Sequence, residues 1–362
     1  MLTKFAKITL RILAVLLGLV VIIIILVLIF FPRAELPPII EEDVCARNNI
    51  RIDATSIETV YGDPQGVLAD PEKFVQEDRA YQLLAMHRAR VNDPFQMDAW
   101  VKEINKLASL PEDERTQQIP YRLYESIMAY QQAFCQEVIS NVLTYLPEGT
   151  DLEVTIYLTA LEGSAAAYSS GKEIAFSLSH PLLVNTAMIH EPTGLSAFYN
   201  LGLHELFHIG FAQNFETLSE EEHRKNEIVI DVLAVIQNEG MATYTSYRLN
   251  PKYPTPFEWF IYLLDKEAVV SFYLGKLNGI LEDGSPPPPL GEEYNALYRR
   301  IGTWGYRRNG LYIVGGYMAM KIEQALGREA LIRTVEDGFY AFAETYNSIA
   351  DEDMKVVWEV VP

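Results

Sequence analysis

The sequence predicts an α+β fold, mostly helical, behind an N-terminal transmembrane helix. Three observations predict it. Residues 12–31 form an unbroken apolar run. Apolar residues at spacings of three and four dominate most of the remaining chain. Between those stretches, at 152–158, the period drops to two. Segments ordered as helices, a small sheet and helices again suit an α+β domain.

The run "ILAVLLGLVVIIIILVLIFF" is long enough to cross a bilayer core of roughly 30 Å as a helix. Lys4, Lys7 and Arg11 precede it; Glu35, Glu41, Glu42 and Asp43 follow Arg33. The positive-inside rule then leaves the N-terminus in the cytosol and the bulk of the chain outside, as a single-pass signal anchor. A cleaved signal peptide is the alternative, but the run is long for one and "FFPRAEL" is a poor cleavage site. The chain after it holds no Asn-x-Ser/Thr acceptor, which leans toward a bacterial cell envelope. Cys45 and Cys135 would both lie on the oxidising side, either bridged or as two buried thiols. The net charge of −20 excludes nucleic acid and polybasic docking on anionic lipid.

"PRAELPPIIEED" is a linker off the membrane. Helical patterns follow in "PEKFVQEDRAYQLLAMHRAR", "DPFQMDAWVKEINKLASL" and "PYRLYESIMAYQQAFCQEVISNVLTYL". Leu152, Val154, Ile156 and Leu158 alternate as in a half-buried strand, and "KEIAFSLS" reads as a second strand after a Ser/Gly/Ala-rich loop. Helices are expected at 195–213, about 223–249, 257–280 and from 309 into the low 340s, with "DGSPPPPLGEE" as a joining loop. The chain divides into a cytosolic tip and anchor (1–35), a helical region (36–149), a core with the strands and two long helices (150–250), and a helical remainder (251–362).

The chemistry is concentrated in "NLGLHELFHIGFAQNF". His204 and His208 are four apart, so a helix stacks them on one face, where two imidazoles can share a metal ion. Glu205 lies about 100° around from His204, beside the metal rather than on it. There it can take a proton from the water that the metal activates. The alternative is a surface helix with two aligned histidines, but the flanks "LGL" and "IGF" mark a buried one, and buried imidazoles need partners.

Zinc, at one ion per chain, needs a third protein ligand and an open position. Two glutamates compete. Glu227 stands 19 residues beyond His208 with Asp231 one turn later, but it ends the charged run "SEEEHRKNE". Glu239 stands 31 residues beyond His208, between "IVIDVLAVI" and "MATYTSY". A carboxylate in so apolar a helix needs a cation, which favours Glu239. Gly240 and Ala242 beside it leave room for the metal helix to pack closely.

"HELFH" with the later "NEGMATY" resembles the gluzincin metallopeptidases. With "GLYIVGGYMAMKIEQALGREAL" added, the pattern is more similar to an uncharacterised bacterial family of zinc-dependent peptidases with an HExxH helix and a later EGxAxY helix. The resemblance covers roughly 150–345 and implies a zincin-like domain. It implies His204, His208 and Glu239 as ligands and Glu205 as the base. The gap before Glu239 is longer than in aminopeptidase N, and no GAMEN-like stretch is present, so amino-terminal specificity is not implied.

A donor to the developing oxyanion completes such a site. Tyr312 is the first choice because Gly315 and Gly316 let its helix approach; Tyr317 and Tyr306 follow, and a plain core tyrosine is the alternative. Of the other histidines, His87 and His223 read as solvated and His180 as a strand end, while His190 is a second candidate for the site wall. Glu216, Glu220, Glu221 and Glu222 read as surface charge. The strand "KEIAFSLS" is either an edge that an extended peptide could join or a strand paired on both sides. The expected activity is hydrolysis of a peptide or protein substrate by a membrane-anchored zinc enzyme. An amidase for an envelope component and a non-catalytic metal-binding protein are the other readings.

Overall fold

A computed structural model describes residues 37–358 except 38, 42, 91–94, 162–166, 191–193, 215–226, 250–262 and 284–309. The expected anchor segment 12–31, "GSPPPPLGEE" of the joining loop, Tyr306 and His223 therefore lie outside the described residues. Among those described, no helix is long and apolar enough to cross a membrane.

The fold is α+β and mostly helical, with one four-stranded sheet. Strands β1 (Ile50–Asp53), β2 (Val154–Thr159), β3 (Ala167–Ser170) and β4 (Glu173–Ser177) lie in the order β1-β2-β4-β3. β1 and β4 run parallel to β2, with Ile50 opposite Val154 and Ile156 opposite Ile174; β3 is antiparallel to β4. The period-two reading finds β2 and β4. It misses β1, four residues long, and β3, which forms inside the expected loop. β4 is consequently paired on both sides, and the edges among the described strands are β1 and β3. β1 also draws the 36–149 region into the same sheet as the 150–250 region.

The longer helices are α1 (Arg79–Arg90), α2 (Met97–Ala108), α3 (Ile119–Ala129), α4 (Gln131–Val142), α5 (Leu195–Asn214), α6 (Glu227–Leu249), α7 (Glu267–Asp283), α8 (Gly310–Leu326) and α9 (Arg328–Asn347). Three expected helices are interrupted, the last of them at Gly338 (φ +86°) as well as at Gly327. Asp78 accepts a hydrogen bond from the Tyr81 backbone N–H at 3.1 Å, capping α1 and separating it from the helix Pro71–Glu77. Tyr130 leaves helical geometry between α3 and α4 (φ −113°, ψ 14°). Gly327, at φ +87°, ends α8 in the left-handed region that favours glycine. Of the expected 257–280 helix, residues 257–262 lie outside the described ones; the described part is a turn at 263–265 and helix from Glu267. Upstream, Asp63-Pro64 and Asp70-Pro71 each start a short helix, the aspartate capping and the proline taking the first turn.

One apolar core runs from Val44 to Val356 and collects side chains from the sheet and every longer helix, while Leu83 and Leu84 of α1 form a small second cluster with Ala175 of β4. α5 lies at its centre, buried on nearly all sides from Leu195 to Phe211. A helix so placed shows little amphipathic bias, which is why apolar residues surround its histidines. Phe198 of α5 packs between Phe134 of α4 and Phe176 of β4, with ring centroids 4.7 and 4.8 Å apart. Gly202 admits the Phe134 ring: a Cβ there would stand 2.5 Å from it. Cys45 and Cys135 are bridged, with Cα atoms 5.2 Å apart, and tie the start of the domain to α4.

The helices α6 and α8 cross in backbone contact. A Cβ on Gly240 would stand 2.3 Å from the Gly315 backbone, and one on Gly315 would stand 2.1 Å from the Ile236 carbonyl oxygen. Gly240 therefore makes room for α8, not for the HExxH helix. Backbone cannot yield as a side-chain tip does, so Gly315→Ala should destabilise the protein by about 1–3 kcal/mol. Gly275→Ala on α7 should stabilise by up to about 1 kcal/mol, since its Cβ meets nothing within 4 Å. Thermal or urea unfolding of the two variants checks this; equal effects of one sign would contradict the crossing.

Candidate metal centre

α5 and α6 carry the site. His204 and His208 stand one turn apart on α5, and α6 brings Glu239 against them. The His204 Nε2 and His208 Nε2 atoms are 3.0 Å apart. Glu239 Oε2 lies 3.2 Å from the first and 3.4 Å from the second. Four-coordinate zinc with bonds of about 2.0–2.1 Å separates its ligand atoms by about 3.3 Å. The observed triangle has that size, so one ion can reach all three atoms. Glu239 Oε2 is buried with no aligned hydrogen-bond donor, as a carboxylate oxygen meant for a cation would be. The donor set, two imidazoles and a carboxylate, also suits zinc.

Asn238 completes the arrangement. Its Oδ1 lies 2.8 Å from His208 Nδ1, so the Nδ1–H donates to it and Nε2 faces the triangle. Sequence reasoning missed this residue. Its signal was present: an amide beside a buried ligand needs a partner inside the protein.

Electrostatics reinforce the grouping. Burial works against a charged His208, but the Glu239 carboxylate outweighs it, aided by Glu205, and lifts the imidazole pKa to about 9. Burial likewise works against ionised Glu239, but the two histidines pull its carboxyl well below the usual carboxylate range. The cluster thus holds a proton where a metal can be bound.

The remaining candidates are dispersed or drawn in as follows. Glu205 is on the same turn of α5 and buried. Tyr312 reaches the centre with its ring, which stacks on the His204 imidazole at 5.9 Å and 13°. Tyr317 does not: its hydroxyl is 3.4 Å from Glu267, on another face of α8. Glu227 begins α6, twelve residues before Glu239, about 18 Å along the helix axis. A single ion cannot take both. His87 is half-buried, its ring 4.9 Å from that of Tyr168. His180 caps the helix Pro181–Asn185, its Nδ1 accepting from the Leu182 N–H at 3.2 Å. His190 ends a π-helix, Thr186–His190, and its side chain lies outside the described residues, as do Glu216 and Glu220–Glu222.

The His208 shift has a testable sign. Its folded pKa is above the ordinary 6.5, so the stabilisation is complete below about pH 6.5 and is lost as pH rises through about 9. Metal-free protein should lose thermal stability between pH 6.5 and 9. The zinc-loaded protein should not, because the ion has replaced the proton. Melting curves at both pH values, with and without zinc, check it. A metal-free protein that gains stability across that interval would contradict the pairing.

A family model described as "Putative zinc dependent peptidase (DUF5700)" matches residues 114–355. No curated protein and no solved structure matches the chain. The matched span includes His204, Glu205, His208, Asn238, Glu239 and Tyr312, and with two thirds of its length inside that model the chain belongs to this family.

Proposed function

We propose that the chain is a membrane-anchored, extracytoplasmic peptidase that holds one zinc ion on His204, His208 and Glu239. The observation that carries this reading is the ligand triangle, with edges of 3.0, 3.2 and 3.4 Å, on a site open to solvent. The three side chains keep 14–16% of their surface exposed, which a closed structural zinc site would not. When bound, zinc supplies Lewis acidity to a substrate carbonyl and acidity to water.

The protein's own groups do the rest. Glu205, one residue along from His204 and not part of the triangle, takes the proton from the attacking water and passes it to the leaving amine. Asn238 keeps His208 in one tautomer and orientation. Tyr312, stacked on His204, is placed to donate its hydroxyl to the oxyanion. β3 has one strand partner among the described residues and packs beside α5. Its outer edge can take an extended peptide as a further strand.

The anchor is the apolar segment 12–31 with its basic N-terminal flank. The Cys45–Cys135 bridge supports an extracytoplasmic domain, because disulfides persist there and seldom in the cytosol.

Glu205→Gln tests the enzymatic part. Zinc content and melting temperature should be kept, while cleavage of a peptide mixture, followed by mass spectrometry, should fall by about 10²–10⁴. Equal cleavage by the variant would remove Glu205 from the mechanism.

A further inference from the structure

Away from the metal, Glu323 gathers four residues at the far end of the α6–α8 crossing. Tyr244 of α6 donates its hydroxyl to Glu323 Oε2 at 2.5 Å, and Tyr145 donates to the same oxygen at 3.3 Å. Arg328 Nε donates to Oε1 at 3.0 Å, and its guanidinium lies 4.7 Å from the Tyr145 ring centroid. Arg248 Nε donates to the Tyr145 hydroxyl at 3.3 Å. The Glu323 side chain is 14% exposed. Nothing in the proposed chemistry uses this group, yet it joins the Glu239 helix, the Tyr312 helix and the end of α4's turn.

Its position relative to the crossing gives it a role. Along α8, Tyr312 lies three residues before Gly315 and Glu323 eight residues after it, about 4.5 and 12 Å on opposite sides. At Gly315 the two helices touch backbone to backbone. Apolar packing around that contact holds the helices together but confines their crossing angle only to within about 15–20°. A hydrogen-bonded carboxylate does have direction.

We propose that Glu323, through Tyr244, is a positioning group that sets the angle of α8 on α6 about the Gly240–Gly315 contact and so keeps Tyr312 against His204. This rests on the metal-site reading above.

The test uses Co²⁺ as the probe and needs no substrate. In the full chain, Tyr312→Trp places an indole beside His204. Fluorescence of that indole, taken as the difference from the chain carrying only its own four tryptophans, should be quenched by Co²⁺ and not by Zn²⁺. Adding Tyr244→Phe or Glu323→Gln should remove much of that quenching while Co²⁺ affinity and far-ultraviolet dichroism stay as in the parent. Tyr244→Phe leaves Glu323 paired with Arg328, so it tests the clasp even where Glu323→Gln fails to fold. Leu107→Ala, a core change elsewhere, should leave the quenching intact. Undiminished quenching in Tyr244→Phe would overturn the proposal, as would a loss equal to that in Leu107→Ala. A parent that binds no Co²⁺ would overturn the metal-site reading and, with it, the premise of the clasp.

Discussion

Glu239 is a carboxylate placed in the middle of an apolar helix, and its need for a positive partner organises the structure around it. Leaving such a charge unpaired costs several kcal/mol, far more than a single surface contact returns. Two imidazoles one turn apart on a neighbouring helix meet that need, with a proton or with a metal ion. The lowered pKa of Glu239 and the raised one of His208 are two expressions of that one interaction. A divalent ion meets it better than a proton, because it satisfies all three donor atoms at once.

Holding three donor atoms within 3.4 Å of one another requires rigid supports. α5 is fixed by burial on all sides: Phe134 enters at Gly202, and Leu146 packs where Gly210 has no side chain. α6 is held by α8 through the Gly240–Gly315 contact, one residue from the ligand carboxylate. The same α8 delivers Tyr312 to the outer face of His204. Ligand, backbone contact and tyrosine thus share one short stretch of a helix pair, and a shift in that pair would disturb all of them. The disulfide acts further out, fastening the segment around Cys45 to α4, which in turn packs on α5.

Much of the site was legible in the sequence because helical geometry is local. A spacing of four put His204 and His208 on one face, and the apolar flanks marked Glu239 as the buried carboxylate over Glu227. What depended on distant pairing was not legible. β1 and β3 are four residues each, too short for a period to register, and their pairing decides that β4 is central and β3 an edge. The divisions at Asp78 and Tyr130 leave the apolar spacing intact on both sides, so the pattern ran through them. Gly240 was read as a point of close approach, but which helix approaches it is a tertiary fact. Asn238 was passed over because its partner, His208, is thirty residues away in sequence.

Which residues hold the metal is the question on which the function of the site turns most directly. Zinc content should be measured after dialysis of the wild-type chain, His208→Ala, Glu239→Gln and Glu227→Gln against metal-free buffer. The account predicts about one zinc per chain in the wild type and in Glu227→Gln, and its loss from His208→Ala and Glu239→Gln. Zinc kept by Glu239→Gln and lost from Glu227→Gln would contradict it.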